Sequence, residues 1–250
     1  MKITVATVCY NSADTIKKTM DSVLGQSYGD LEYIIVDGAS TDETMSYVRE
    51  YQKKHDIVVI SEPDKGLYDA MNKAADMATG KYILYMNSGD IFASDTAVEK
   101  MVPFLEDRPE LAYGNVIRCK RRGEVLETYH GSNIAMRLVL MGRMMCHQSI
   151  FTRTDIMKQY RFNLDFSITA DYDFIVRLLH DKKRLKYVDV TVSKVDSVEG
   201  ISSSVSNMDK MRQQDDASLR ANFPILYYLV TPPKAVIRAV RRRQEKKLMK

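Results

Sequence analysis

Lys2-Ile3-Thr4-Val5-Ala6-Thr7-Val8-Cys9-Tyr10-Asn11-Ser12 is the stretch from which the rest of the chain is read. Residues 2–9 form an apolar, β-branched run that ends in a polar turn, the pattern of a strand buried on both faces. Helical spacing follows at Ile16, Met20, Val23 and Leu24, with Asn11 and Ser12 placed to cap that helix. The unit then repeats. Residues 31–36 read as a second strand closed by Asp37-Gly38, and Ser40 or Thr41 can cap a helix carrying Met45 and Val48. Residues 57–60 form a third strand and 66–78 a helix stopped by Gly80, while 82–86 form a fourth strand running into Asn87-Ser88-Gly89-Asp90. Such alternation predicts an α/β fold with a mostly parallel sheet and helices on both faces. These sheets take ligands beyond the carboxyl ends of their strands. Three of those ends carry polar turns, at Cys9-Tyr10-Asn11, Asp37-Gly38-Ala39-Ser40 and Asn87-Ser88-Gly89-Asp90, so one nucleotide-sized site touching all three is expected.

After Asp95 the rhythm changes. A helix is expected over 95–106, shorter strands over 111–119 and 124–130, and short helices over 154–160 and 170–180. A strand follows over 187–195 and a polar helix over 206–221, while the Met-rich segment 136–145 fits no element clearly. The 250 residues suffice for one domain with a sizeable core, and 45% apolar with 28% charged residues is ordinary for a globular chain. The longest apolar run, 225–230, falls far short of the roughly 20 residues of a spanning helix. Residues 1–222 read as one domain, with a nucleotide-binding half over 1–95 and an acceptor-binding half over 96–222, and 223–250 as an amphipathic basic tail.

The formal charge of +4 is unevenly spread. Residues 234–250 hold eight Lys/Arg against one Glu, so the tail carries +7 and the remainder −3. A mildly acidic body argues against nucleic acid as a partner. In the tail, Val236, Ile237 and Val240 form an apolar stripe among basic residues, after Pro232-Pro233. That pattern suits an anionic membrane interface, and equally a solvated tail or a helix packed on protein. Met1-Lys2 leads straight into the first strand without a signal-type apolar region, and Cys9, Cys119 and Cys146 are too scattered for a disulfide framework or a zinc site. A cytoplasmic setting at the inner face of the membrane is expected.

Asp90 ends an apolar strand in a small-residue turn, where a carboxylate can hold Mg²⁺ or Mn²⁺ against a diphosphate; a plain turn reads the same way. Asp37 is placed to accept from a base or ribose, with Ser40 and Asp42 reading as helix-start residues. In Glu62-Pro63-Asp64-Lys65-Gly66, Asp64 and Lys65 can meet base and phosphate, or simply open a capped helix.

Four segments, Thr7-Val8-Cys9-Tyr10-Asn11, Ile35-Val36-Asp37-Gly38-Ala39-Ser40-Thr41-Asp42, Asp64-Lys65-Gly66 and Asn87-Ser88-Gly89-Asp90, fall in the order and spacing of the family 2 glycosyltransferases. The chain resembles the bacterial members that build surface polysaccharides. The resemblance implies a GT-A (Rossmann-like) fold, a nucleotide-diphosphate sugar donor (a UDP-sugar first), a divalent cation and inversion at the anomeric carbon. It further implies hexosyl or N-acetylhexosaminyl transfer to a hydroxyl of a lipid-linked glycan. It assigns the donor nucleotide to Thr7, Val8, Asn11, Asp37, Asp64, Lys65, Gly66 and Ser88, and the cation to Asp90. The usual Asp-x-Asp is reduced here, with Asn87 or Ser88 where the first acid stands. In Thr169-Ala170-Asp171-Tyr172-Asp173, Ala170 replaces the family's Glu and Asp171 aligns with the catalytic base, while Asp173 should face elsewhere. Cys146-His147-Gln148-Ser149 matches a family segment that puts His147 and Gln148 on the acceptor or donor-sugar side. Two rivals remain. A dehydrogenase or nucleotidyltransferase lacks support because no Gly-x-Gly-x-x-Gly or Gly-Lys-Ser/Thr turn follows the first strand. A degenerate family member that only binds nucleotide, lipid or a partner is kept open by the thin metal motif.

Overall fold

The computed structural model describes residues 1–119, 125–131, 145–196 and 207–228. At its centre is β1 (Ile3–Cys9), buried along its whole length. Strand alternation sorts its side chains: Ile3, Val5 and Cys9 join one apolar cluster, Ala6 and Val8 another on the opposite face. β2 (Leu31–Asp37) pairs with β1 in parallel and carries α2 (Thr44–Gln52) and β3 (Ile57–Ser61) after it. Following α3 (Leu67–Met77), β4 (Tyr82–Tyr85) pairs in parallel with the other side of β1. The register sets Cys9 beside Asp37 and Ala6 beside Tyr85, so the three polar turns emerge at one edge.

Helices cover both faces. α1 (Ile16–Leu24) buries Ile16, Met20 and Val23, a helical stripe against the Ile3 face. α3 buries Ala70, Ala74 and Ala75 against the Ala6 face, where small side chains let helix and sheet approach closely. The expected caps take a different form. Thr15 stands at the N-cap of α1 without a side-chain bond, and α2 begins after Glu43, with Asp42 Oδ1 accepting the Thr44 N–H at 3.0 Å. Asn11 is drawn off elsewhere, because its amide oxygen accepts the Thr41 N–H at 2.9 Å and ties the first turn to the second.

The second half completes a sheet in the order β3-β2-β1-β4-β8-β6-β9-β5, with β7 on β6. β5 is Ile91–Phe92, β6 Leu111–Cys119, β7 Val125–Tyr129, β8 Ile150–Arg153 and β9 Leu185–Asp196. Here the pairing is mixed: β4–β8, β8–β6 and β9–β5 are antiparallel and β6–β9 parallel. The expected helix over 95–106 divides into α4 (Ala97–Met101) and a 3-10 turn at Val102–Leu105, with Pro103 at its start. α5 (Thr154–Tyr160) and α6 (Ala170–His180) follow β8, and α7 (Met208–Asn222) packs on α6. Most of the unassigned Met-rich segment, and residues 229–250 of the basic tail, lie outside the described residues. Among the described residues no helix is long and apolar enough to cross a membrane.

Candidate active site

The turns at the carboxyl edge are laced together. Asn11, at φ 46°, donates its N–H to Ser40 Oγ at 2.8 Å, and the Ala13 N–H reaches Asp42 Oδ2 at 3.0 Å. The Ser88 N–H reaches the Val8 carbonyl at 3.2 Å, and the Ser88 and Thr15 hydroxyls are 2.8 Å apart. Gly38 lies close under the next loop: a Cβ there would be 2.5 Å from Asp64 Oδ2, the tip of that side chain, and 3.4 Å from the Tyr10 ring. That contact brings the Asp37 turn against the Asp64-Lys65-Gly66 loop, where Asp64 Oδ1 accepts the Gly66 N–H at 2.8 Å and Lys65 is exposed. Tyr10, 62% exposed between Gly38 and the first turn, is an aromatic face that the sequence reading passed over.

Two of the expected donor contacts point inward. The Thr7 side chain is fully buried, its hydroxyl donating to the Met86 carbonyl at 2.8 Å and lying 3.0 Å from Tyr33 OH. Asp37 is also fully buried. Its Oδ2 accepts from the Ser40 N–H at 3.0 Å and Ser61 Oγ at 2.7 Å, and its Oδ1 from Ser40 Oγ and, weakly, from Cys9 Sγ at 3.7 Å. A carboxylate has about four lone-pair positions, so this one is fully engaged in shaping the turn. Burial, with Asp37 alongside, pushes the Cys9 thiol far up, and burial pushes Cys146 up to about 11; among the described residues no disulfide joins the cysteines. Val8 is buried too, and its carbonyl accepts the Ser88 N–H of the Asn87–Asp90 turn.

The Asn87–Asp90 turn connects to the second half of the chain. Gln148 donates to Asp90 Oδ2 at 2.9 Å, and His147 Nε2 lies 3.0 Å from Asn87 Nδ2. On its other side His147 Nδ1 stands 3.6 Å from Asp171 Oδ2. With the Asn87 amide nitrogen donating, Nε2 accepts and Nδ1–H faces the carboxylate. Asp171 opens α6, where the helix dipole favours a negative charge. Behind it, Tyr68 donates to Asp171 Oδ1 at 2.9 Å. Asp173 faces away as expected: it is buried, bound by Arg177 Nε at 2.7 Å and by Ser218 Oγ at 2.7 Å. The site thus draws together Asn11, Asp64, Ser88, Asp90, His147, Gln148 and Asp171. A separate cavity of about 490 Å³ lined by Gly80, Lys81, Arg108 and Arg153 lies at the opposite, amino end of β4.

A cation fits this turn in a limited way. Asn87 Oδ1 is buried with no hydrogen-bond partner among the described residues, and it is a hard oxygen three residues before Asp90 in the same turn. Among the described residues no three His, Cys, Asp or Glu side chains gather into a metal-sized cluster. A site with one carboxylate and one amide oxygen suits Mg²⁺ or Mn²⁺ when phosphate oxygens and water complete the shell.

Residues 4–168 match the family model described as Glycosyl transferase family 2. The chain belongs to that family. A PGL/p-HBAD biosynthesis glycosyltransferase of Mycobacterium bovis (strain BCG / Pasteur 1173P2) is 28% identical over 237 residues, 92% of this chain and 90% of the relative. A putative teichuronic acid biosynthesis glycosyltransferase, TuaG, of Bacillus subtilis (strain 168) is 38% identical over 108 residues, 42% of each chain. Among solved structures, S. aureus TarS 1-349 in complex with UDP-GlcNAc superimposes with a TM-score of 0.69 at 18% identity, covering 89% of this chain and 68% of that fragment. The mannosyltransferase PcManGT from Pyrobaculum calidifontis, in complex with GDP-Man and Mn²⁺, gives 0.65 at 19% identity, covering 97% of this chain and 75% of that one. The fold of this glycosyltransferase is GT-A.

Proposed function

We propose that this glycosyltransferase moves a sugar, with inversion, from a nucleotide-diphosphate sugar to a hydroxyl of a glycan acceptor in bacterial surface-polysaccharide synthesis. The observation that carries the reading is the connection from Asp90 through Gln148 and His147 to Asp171, which links a diphosphate-side group to a base-side group. Asp171 takes the proton of the acceptor hydroxyl as its oxygen attacks the anomeric carbon, and the bond from that carbon to the diphosphate breaks. Asn87 Oδ1 and Asp90 would hold a divalent cation, which when bound neutralises the diphosphate leaving group. Asn11, Asp64, Lys65, Gly66 and Ser88 line the donor nucleotide, with Tyr10 available to stack on its base. Thr7, Val8 and Asp37 act from beneath, by fixing the strand ends. His147 and Gln148 border the transferred sugar.

A UDP-sugar is the first donor to test, since TarS carries UDP-GlcNAc, with GDP-mannose second. Hexosyl or N-acetylhexosaminyl transfer follows from those donors. We assign 1–95 to the nucleotide half, 96–222 to the acceptor half and 223–250 to a tail that docks on the inner membrane face, near a lipid-linked acceptor. Ile225 and Tyr228 are 79% and 61% exposed just before that basic segment, which suits an interfacial anchor.

The test is a thermal-shift and turnover panel of UDP-glucose, UDP-GlcNAc and GDP-mannose with Mn²⁺, since a ligand of the folded state raises apparent stability by mass action. Asp90→Ala should lose the Mn²⁺-dependent part of UDP binding. Asp171→Asn should keep donor binding and lose turnover by about 10²–10⁴-fold. Full turnover in Asp171→Asn would refute the base. UDP binding without any donor turnover would favour the degenerate binder.

A further inference from the structure

Tyr68 and Asn72 stand one turn apart on the buried face of α3, and both reach into the second half of the chain. Asn72 makes a two-way bridge to one residue: its amide donates to the Phe162 carbonyl at 2.9 Å and accepts the Phe162 N–H at 2.9 Å. That bridge docks the two halves. Tyr68 makes a different pair of contacts. Its hydroxyl lies 2.8 Å from the Ile168 carbonyl and 2.9 Å from Asp171 Oδ1, while its ring rests 5.2 Å from that of Phe162. The phenol is only 6% exposed.

Asp171 Oδ1 therefore has two protein donors, the Tyr68 hydroxyl and the Tyr172 N–H at 3.0 Å. Oδ2 has the His147 ring at 3.6 Å, beyond hydrogen-bonding distance, and is the oxygen on the site side. A carboxylate at the exposed end of a helix rotates between its two oxygens; one held by two donors does not.

We propose that Tyr68 is a positioning residue for Asp171, pinning Oδ1 from behind so that Oδ2 alone is presented to the acceptor hydroxyl. This rests on the reading of Asp171 as the base. Tyr68 keeps its proton throughout: burial first, and then the Asp171 charge, push its ionisation well above the ordinary phenol value. Other groups surround the pair. His147 faces Asp171 from the turn before β8, and Asp215 of α7 acts on Tyr68. Arg118 and Glu127 of β6 and β7, with Asp90, act on neighbouring Cys146 as Asp171 does. None of these donates to Oδ1, and removing the phenol oxygen takes away its contacts to Asp171 Oδ1 and to the Ile168 carbonyl together, of which only the first bears on the base.

The experiment compares Tyr68→Phe, Asn72→Ala and Asp171→Asn, using the full chain with Mn²⁺ and whichever of UDP-glucose, UDP-GlcNAc or GDP-mannose turns over. In Tyr68→Phe, donor KM should stay within about two-fold while kcat falls about ten- to a hundred-fold, the range for losing a hydrogen bond to a charged group. The acidic limb of its kcat profile should move to higher pH, because the ionised base has lost a donor. Asn72→Ala should melt lower with its acidic limb in place. If Asp171→Asn is inactive and Tyr68→Phe keeps wild-type kcat and limb, the positioning role is wrong and the base stands. If Tyr68→Phe and Asn72→Ala lose kcat alike with no shift of the limb, Tyr68 only docks the halves and the proposal is overturned. If Asp171→Asn turns over normally, the base reading falls, and the positioning role with it.

Discussion

His147 lies between Asn87 and Asp171, with Nε2 3.0 Å from the amide nitrogen of one and Nδ1 3.6 Å from Oδ2 of the other. With the Asn87 amide donating to Nε2, the Nδ1–H points towards the Asp171 carboxylate. The imidazole thus couples the Asn87–Asp90 turn to Asp171, with Asn87 and Asp171 84 residues apart in sequence. His147→Ala should lower kcat about ten-fold or more while the donor affinity measured with UDP alone is retained, since one hydrogen bond and one oriented dipole are lost. Steady-state kinetics with Mn²⁺ held saturating provides the check; unchanged kcat would mean that the ring merely fills space.

Asn87 stands where a second acid is expected, and its Oδ1 has no partner among the described residues. An Asn87→Asp protein places two carboxylates about the proposed cation. Each added anionic oxygen strengthens a hard-cation site, so half-saturation by Mn²⁺ should fall about ten-fold. The opposing effect is repulsion of Asp90 in the metal-free protein, which should lower its melting temperature and be relieved by Mn²⁺. Titrating activity against Mn²⁺ tests this, and an unchanged or weaker Mn²⁺ dependence would remove Asn87 from the cation site.

The first half of the fold was legible because β1 to β4 and their helices each carry a strong period, and the turns fall where strands end. The second half was not, for physical reasons. β8 has four residues and β5 two, too short to display any period, and both are strands only because neighbours pair with them. The mixed strand order likewise comes from pairing across the sequence. Within the site, Asp90 and Asp171 were visible as acids at element ends. Asp37 and Thr7 were visible as types, but their inward orientation was not, since only the surrounding Ser40, Ser61, Tyr33 and Met86 decide it. Tyr68 was hidden because a tyrosine on the buried face of a helix reads as core.

Glu32 supplies a pH-dependent prediction. Burial raises its carboxyl pKa, but the Thr4 and Thr79 hydroxyls and the Thr79 and Gly80 amides outweigh burial and hold it below the ordinary glutamate value. The contacts are short, 2.6 Å to both hydroxyls and 2.8 Å to the Thr79 N–H, and they tie β1 and β2 to the loop before β4. A depressed folded-state pKa contributes stability that is present above the unfolded value and lost as pH falls through the folded one. Glu32→Gln should therefore melt lower than wild type at pH 7, and the gap should narrow as pH falls past the unfolded glutamate value of about 4.3 and close once pH is below the depressed folded value. A gap of equal size at pH 7 and pH 3 would assign the loss to amide geometry rather than charge.

Gly114 lies in β6 where the pairing with β9 slips between Tyr113 and Asn115. A Cβ there would meet the Val190 carbonyl oxygen at 2.3 Å and Val192 Cγ2 at 2.7 Å. The first of these is backbone in a paired strand and has little room to move. The next residue, Asn115, donates to Asp189 Oδ1 at 2.8 Å and accepts the Gly131 N–H at 2.9 Å, so displacing β9 also breaks that bridge. Gly114→Ala should accordingly cost about 1–3 kcal/mol, as overpacking of a tight interior does. For a chain of this size that is a fall in melting temperature of about 2–4 °C per kcal/mol. Gly29→Ala is the matched control, because nothing lies within 4 Å of its Cβ position, and it should melt within about a degree of wild type. Equal melting of the two variants would mean that β6 and β9 part without loss, and that the slip in register absorbs the added methyl group.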